Sequence, residues 1–478
     1  MNRLVPISIE ALPIELLTRI FQIAYHGEHC LAPHDHNFDD PPPWVKFPKQ
    51  PDTLAHVCST WRRTALATSS LWSHIDIAIN HRRNHNFFSR AKVYVQRAAH
   101  RPLEVHIYDG TWRREPRNRA VSGQRYPNAY EFECLDAGVV SIRSLMLDIR
   151  MGSPGPHLAI LGYFLAKCAK GALVHYVTRV ISPGTNGFLE TAEELQSPRT
   201  DSLQIPKSEL EEQWRSVKVV HVTGLCPRWS SELYHGLVDL RLGREIPRVA
   251  ELQLISVFKA SPGLRIVHLK SRIIFNAPKD AEVTRIPLND LEVLNIGKDQ
   301  RMCRRPTYGR IVRWLQPGVK PLQFTFCGVL NHSTVEFIER SNVKRFYCQG
   351  RRPPTSADLL CMAPRLQTLV IEVCDFGVKS IETILYPINE GDPTLHIETM
   401  YLSGFKKLAL GHIQEAVDRY SIQRLFLHSC RLAYPLGARM EVCEYRDVTK
   451  MREKLSEIRN CPVVEYLTCY ELELDNWE

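Results

Sequence analysis

Leu366-Gln367-Thr368-Leu369-Val370-Ile371 places apolar residues at its first, fourth and sixth positions, and the fold turns on how this hexad is read. The same apolar-x-x-apolar-x-apolar pattern starts at Ile142, Val217, Leu237, Leu264, Leu291, Val343, Ile397 and Ile422, with degenerate copies from Leu322 and Val464. From Leu237 to Ile422 the starting points are spaced 27, 27, 31, 21, 23, 31 and 25 residues apart. Each hexad is the length of a strand, and the rest of each period leaves room for a turn and a helix. Val249–Ser261, His412–Ser421 and Met451–Asn460 have helical character in those gaps, and Pro262, Pro364 and Pro462 mark the exits. The pattern extends backwards as well: Ile75, Ile77 and Ile79 alternate like a first strand, Phe87–Ala99 reads as a helix, and Leu103–Ile107 as the next strand. No single unit can bury its own apolar face, so stability is expected to come from neighbours that stack.

Period and pattern together resemble an irregular leucine-rich repeat. The expected class is an α+β or α/β solenoid in which a small all-helical head, residues 1–75, precedes a leucine-rich-repeat-like strand–helix array over 76–478. Irregular loops are expected at about 109–133 and 183–213, the second filling the long gap between Ile142 and Val217. A conventional α/β domain whose hexads are merely parallel strands is the competing reading. It is set aside because the hexads outnumber the strands that such a sheet usually supplies.

The head is read from two short stretches. In Leu12-Pro13-Ile14-Glu15-Leu16-Leu17-Thr18-Arg19-Ile20-Phe21, apolar residues recur at helical spacing behind a proline suited to a first turn. Leu54, Val57, Cys58, Trp61 and Ala65 do the same in the second, and Leu71-Trp72 closes the segment. LPxELLxxIF, then LxxVCxxWRxxA, then LW, resembles the F-box, the domain that attaches substrate receptors to the Skp-type adaptor of cullin–RING ubiquitin ligases. A long insertion at about 25–51 departs from the usual pattern; similar insertions occur in the large fungal F-box families. LQTLVIEVC, ending at Cys374, and IQRLFLHSC, ending at Cys430, look like the cysteine-containing repeats often joined to F-boxes.

By that resemblance, Leu12, Pro13, Leu16, Leu17, Ile20, Val57 and Trp61 support or form the adaptor contact, and Leu17→Asp is expected to abolish it. The implied function is that of a substrate-recognition subunit of a Skp-adaptor–cullin–F-box ligase, which works by proximity and is not itself an enzyme. Its partners would be the adaptor, through it the cullin and RING subunits, and a protein target. The alternative is an interaction scaffold outside any ligase, with an F-box-like head.

Bulk properties fit this picture. The chain is 44% hydrophobic and 24% charged, ample for a packed core. The stretch from Met1 to Leu12 has no basic n-region and no apolar h-region, and no apolar run approaches a membrane span. The expected location is therefore cytoplasmic, nuclear or both. Fourteen cysteines without a CxxC pair suggest free thiols in a reducing compartment.

Most of the net charge of +9 sits between His81 and Arg125, where eleven basic residues face three acidic ones. No recognised nucleic-acid-binding motif accompanies them, so a solvated surface is the preferred reading. Phosphate-binding loops, nucleophile elbows and zinc-protease motifs are all missing from the sequence. His26, His29, Cys30, His34, Asp35 and His36 cluster in the insertion, but their spacing matches no standard zinc pattern. No cofactor and no metal are expected.

Function then falls to surfaces. The fifth hexad residue should point to the open face of the sheet, opposite its apolar neighbours. Along the array this row reads His221, Arg241, His268, Asn295, Phe326, Tyr347, Val370, Tyr401 and Phe426. Its second half is mostly aromatic, and Phe326, Tyr347, Tyr401 and Phe426 are the candidate target-binding residues. A fold-back of Ala433–Val448 over those rings is the competing expectation.

Overall fold

The computed structural model describes residues 9, 12–27, 51–79, 84–109, 132, 141–149, 155–180, 187–194, 202–243, 245–275, 283–296, 308–328, 330–350, 354–362, 364–373, 381–385, 395–436, 439–444 and 446–467. The chain forms two compact units, Met1–Leu233 with Glu245–Pro247, and Tyr234–Arg244 with Arg248–Glu478.

The first unit opens with α1 (Ile14–Gly27), α2 (Asp52–Ala55) and α3 (Ser59–Ala67), followed by a 3-10 turn at Ser69–Trp72. Cys58 caps α3, its sulfur accepting from the Trp61 backbone N–H at 3.5 Å. Then come β1 (His74–Ile79), α4 (Asn84–Ala98), β2 (Leu103–Asp109), β3 (Ile142–Ile149), α5 (Gly155–Lys167), β4 (His175–Val180), α6 (Lys207–Trp214) and β5 (Val219–Thr223). The five strands pair in parallel and in chain order. Helices close one side: Trp214 of α6 meets Tyr176 of β4 with ring centroids 4.8 Å apart, and Gln213 donates to the Cys168 carbonyl at 2.9 Å.

The second unit repeats the arrangement. Its strands are β6 (Asp239–Leu242), β7 (Ile266–Leu269), β8 (Val293–Ile296), β9 (Leu322–Cys327), β10 (Val343–Gly350), β11 (Thr368–Val373), β12 (Thr399–Ser403), β13 (Arg424–His428) and β14 (Val463–Leu467). These also pair in parallel and in chain order. Intervening helices include α7 (Glu251–Ala260), α8 (His332–Glu339), α9 (Ser356–Leu360), α10 (Leu410–Tyr420) and α11 (Val448–Leu455). Leu240, Val267, Leu294, Phe324, Phe346, Leu369, Met400 and Leu425 lie in one register row and are all buried. Within that row Phe324 meets Phe346 at 5.7 Å and Phe337 of α8 at 5.2 Å.

This architecture corrects the expected fold class. Each unit is built on a mostly parallel α/β sheet with helices between the strands, the reading set aside above, and the chain does not start with a separate all-helical head. Two physical reasons account for the difference. First, many strands are buried along nearly their whole length: five of the six residues of β1 are buried, and so are the last five of β10. His268, Asn295 and Val370, expected to face solvent, are buried too. Near-continuous burial is the mark of a parallel sheet covered on both faces, and it holds for these strands but not for β12–β14, where residues such as Tyr401, Phe426 and Glu465 stay partly or fully exposed.

Second, α1–α3 do not close on themselves. Trp72 is fully buried, donates its indole N–H to the Ala65 carbonyl of α3 at 2.8 Å, and packs edge-on against Tyr94 of α4 at 5.0 Å. The Arg97 guanidinium covers the same indole at 4.2 Å, and Asp52 of α2 accepts from the Tyr94 hydroxyl at 2.8 Å and pairs with Arg90 at 3.3 Å. These contacts merge the N-terminal helices with the first strand–helix unit.

Local expectations met the structure unevenly. The gap between Ile142 and Val217 holds a further strand, β4, whose hexad from Leu173 ends in Thr178 and so escaped an apolar pattern. Thr178 is buried and its hydroxyl meets His157 Nε2 at 3.3 Å. The stretch expected as a loop at 183–213 contains most of α6 and a bridge between Thr191 and Leu203. Leu432–Leu436 pairs antiparallel with Arg439–Cys443 and parallel with Leu408–Ala409, so this part of the expected fold-back joins a small sheet of its own. Residues 28–50, most of 109–133 and Cys374 lie outside the described residues.

Candidate docking surfaces

In the first unit, helical spacing sorts the apolar residues of α1 onto two adjacent stripes. Leu17 and Phe21 are 2% and 0% exposed; the Phe21 ring lies 4.9 Å from Trp61, and Gln22 donates to the Ser70 hydroxyl at 3.4 Å. Leu16, Ile20 and Ile23 follow one another at i, i+4 and i+7 on the neighbouring stripe and are 53%, 41% and 60% exposed. One stripe is consumed by the fold and the other is left in water.

Of the residues expected to support adaptor binding, Pro13, Leu16, Ile20 and Val57 are exposed, Leu12 and Trp61 are half-buried, and Leu17 is in the core. Ile14 and Ile23 are exposed beside them and were not among the candidates. Among the described residues, seven of the twelve exposed large apolar side chains fall between Ile9 and Leu66. Scattered exposure is normal, but such concentration marks an interaction surface.

In the second unit the register fixes a different row from the one expected. Arg241, His268, Asn295, Thr325, Tyr347, Val370, Tyr401, Phe426 and Glu465 are successive partners. Thr325 occupies the place assigned to Phe326. The β9 hexad is one residue short, seen as a register shift at Leu322/Gln323, so Phe326 is buried on the opposite face with Phe324. Tyr347 is buried and its hydroxyl donates to Glu372. Tyr401 and Phe426 remain half-exposed, stacked at 4.7 Å with ring planes 16° apart. Burial pushes the Tyr401 hydroxyl up, with Arg424 and Arg345 acting in the opposite sense. Of the four aromatic candidates, this stacked pair is what the face presents.

Among the described residues, one titratable cluster and one buried thiol stand out. In the first unit Asp76 is buried between His106 Nδ1 at 3.3 Å and His74 Nε2 at 3.2 Å, and His74 Nδ1 reaches Glu104 at 3.5 Å. Burial by itself would raise the Asp76 carboxyl, but the two imidazoles outweigh it and hold the group well below the usual carboxylate range. The strand alternation of His74 and Asp76 with Glu104 and His106 is the only sequence signal of this cluster. Cys430 is buried, donates to the Leu402 carbonyl at 3.3 Å, and has its thiol pushed up to about 12 by burial, which makes it a packing thiol and not a nucleophile. Among the described residues no group of three or more His, Cys, Asp or Glu is placed to hold a metal, and no helix is long and apolar enough to cross a membrane.

Compared with known families and curated proteins, the chain matches no family model and no curated protein.

Proposed function

We propose that this protein is the substrate-recognition subunit of a Skp-adaptor–cullin–F-box ubiquitin ligase. It docks to the adaptor through the outer stripe of α1 together with Val57, and it holds a target protein on the sheet face around Tyr401 and Phe426. The exposed stripe of Leu16, Ile20 and Ile23 beside a buried Leu17 and Phe21 carries this reading: a short helix keeps a second apolar side that its own fold does not use. The LPxELLxxIF and LxxVCxxWRxxA motifs supply the kind of partner. Catalysis belongs to other subunits, because tethering alone raises the target's effective concentration to about millimolar.

Purified protein and adaptor test the docking step. Leu16→Asp with Ile20→Asp should weaken adaptor binding by about thirtyfold or more, the cost of losing a hot spot of about 2 kcal/mol, and leave the melting temperature unchanged because both side chains are exposed. Leu17→Asp, by contrast, buries a charge and should unfold the N-terminal helices, so its loss of binding would say nothing about docking. Undiminished adaptor binding by the double variant would remove the ligase reading and leave an interaction scaffold.

A further inference from the structure

The face of β10–β14 carries more charge information than its aromatic pair. Arg345 shares a face with Tyr347, two residues earlier on β10, and register carries that row through Thr368 and Thr399 to Arg424. Glu465 on β14 directly follows Phe426 in the aromatic row. Most polar groups here are already engaged. Arg424 pairs with Glu398 at 2.8 Å and donates to the Thr399 hydroxyl at 3.1 Å; Glu372 accepts from Tyr347, and His428 meets the Ser403 hydroxyl at 3.1 Å. Arg345 and Glu465 are exposed and make no ion pair among the described residues. The stacked rings therefore sit between one unspent cation and one unspent anion, and both charges act on the Tyr401 hydroxyl.

We propose that this face takes an extended polypeptide segment in a single orientation, with an acidic side chain over Arg345, apolar side chains over Tyr401 and Phe426, and a basic side chain over Glu465. The proposal rests on the reading that this face holds the target, and it adds the target's chemistry. Spacing follows from the sheet. Four strand intervals and a two-residue offset separate the charges by about 20 Å, which an extended segment covers in about six residues. A segment with its charges reversed would set like against like at both ends, so the face selects polarity as well as composition. A polyanion would satisfy Arg345 but would be repelled by Glu465, which favours a polypeptide of mixed charge.

The test pans a random decapeptide library on the immobilised full-length chain, then measures synthetic copies of the enriched peptides by fluorescence anisotropy. Enrichment is expected for one acidic and one basic residue about six positions apart, always in the same order, with apolar residues between them. Arg345→Glu should weaken the selected peptide at least tenfold, and replacing the peptide's acidic residue by lysine should restore binding to that variant. Glu465→Lys should behave in the mirror sense. Peptides without the charge pattern, or variants that are not rescued by the swapped peptide, overturn the proposal. If Tyr401→Ala with Phe426→Ala still abolishes binding in that case, the face holds targets and only the polarity fails. If no peptide is enriched, or the double alanine variant binds normally, the target-face reading fails with it.

Discussion

Trp72→Ala is the sharpest probe of how the N-terminal helices are held. The indole is fully buried, hydrogen-bonded to Ala65 of α3 at 2.8 Å, set edge-on to Tyr94 at 5.0 Å and covered by Arg97 at 4.2 Å. Truncating a buried aromatic to alanine costs about 3–5 kcal/mol, and the hydrogen bond and cation–π contact are part of that loss, so about 4 kcal/mol is expected. That is roughly a third or more of a typical domain's total stability. Because Trp72 joins α3 to α4, and α4 lies against β1, the loss should spread across the first unit. Denaturant unfolding should show the first unit melting in one transition at a lower midpoint, and amide exchange should quicken together in α3 and in β1 and β2. Trp72→Phe loses the N–H donor and replaces the indole by a smaller ring, so it should cost less than the alanine change, about 2 kcal/mol. If α1–α3 lost protection while β1 and β2 exchanged at the wild-type rate, the helices would be a separate domain after all and the reasoning would fail.

Two further outcomes follow from single sites. His157 is fully buried, and burial pushes its imidazole down to about 3 from an ordinary 6.5, so between those values the unfolded chain binds more protons than the folded one. Stability is then complete above pH 6.5 and declines on acidification by up to about 1.4 kcal/mol per pH unit, a slope that His157→Gln should flatten and that an unchanged pH profile would refute. Gly404 has φ +76°, and a Cβ there would lie 2.5 Å from the Val373 carbonyl oxygen, so Gly404→Ala should cost about 2 kcal/mol by chemical denaturation; an unshifted midpoint would contradict the close approach.

Individual residues show where sequence reasoning carried and where it stopped. Leu366–Ile371 was legible because its apolar spacing reports a strand directly, and β11 begins at Thr368 within it. The Leu173 hexad was not, because Thr178 fills an apolar place with a hydroxyl that meets His157 of the preceding helix, a pairing that apolar spacing does not report. Phe326 was assigned to the wrong face because a one-residue deletion in β9 reverses side-chain direction without changing composition. Val464 was read as the start of a hexad, yet it pairs with Leu425 and so occupies the fourth place of one that begins at Cys461. Leu16 and Leu17 are adjacent and chemically identical, and no pattern in α1 says which of them enters the core.

The recurrence of strand and helix and the amphipathic character of the N-terminal segment can be read along the chain, since both are local periodicities of apolar residues. Which apolar residues stay in water, and which charges stay unpaired among the described residues, depends on the folded arrangement. Those are properties of register and of neighbours brought from elsewhere in the chain: Trp72 reaching α4, Tyr347 spent on Glu372, Arg345 and Glu465 left at either end of the Tyr401–Phe426 stack. A docking surface is what remains after packing has taken its share, and packing is a long-range outcome.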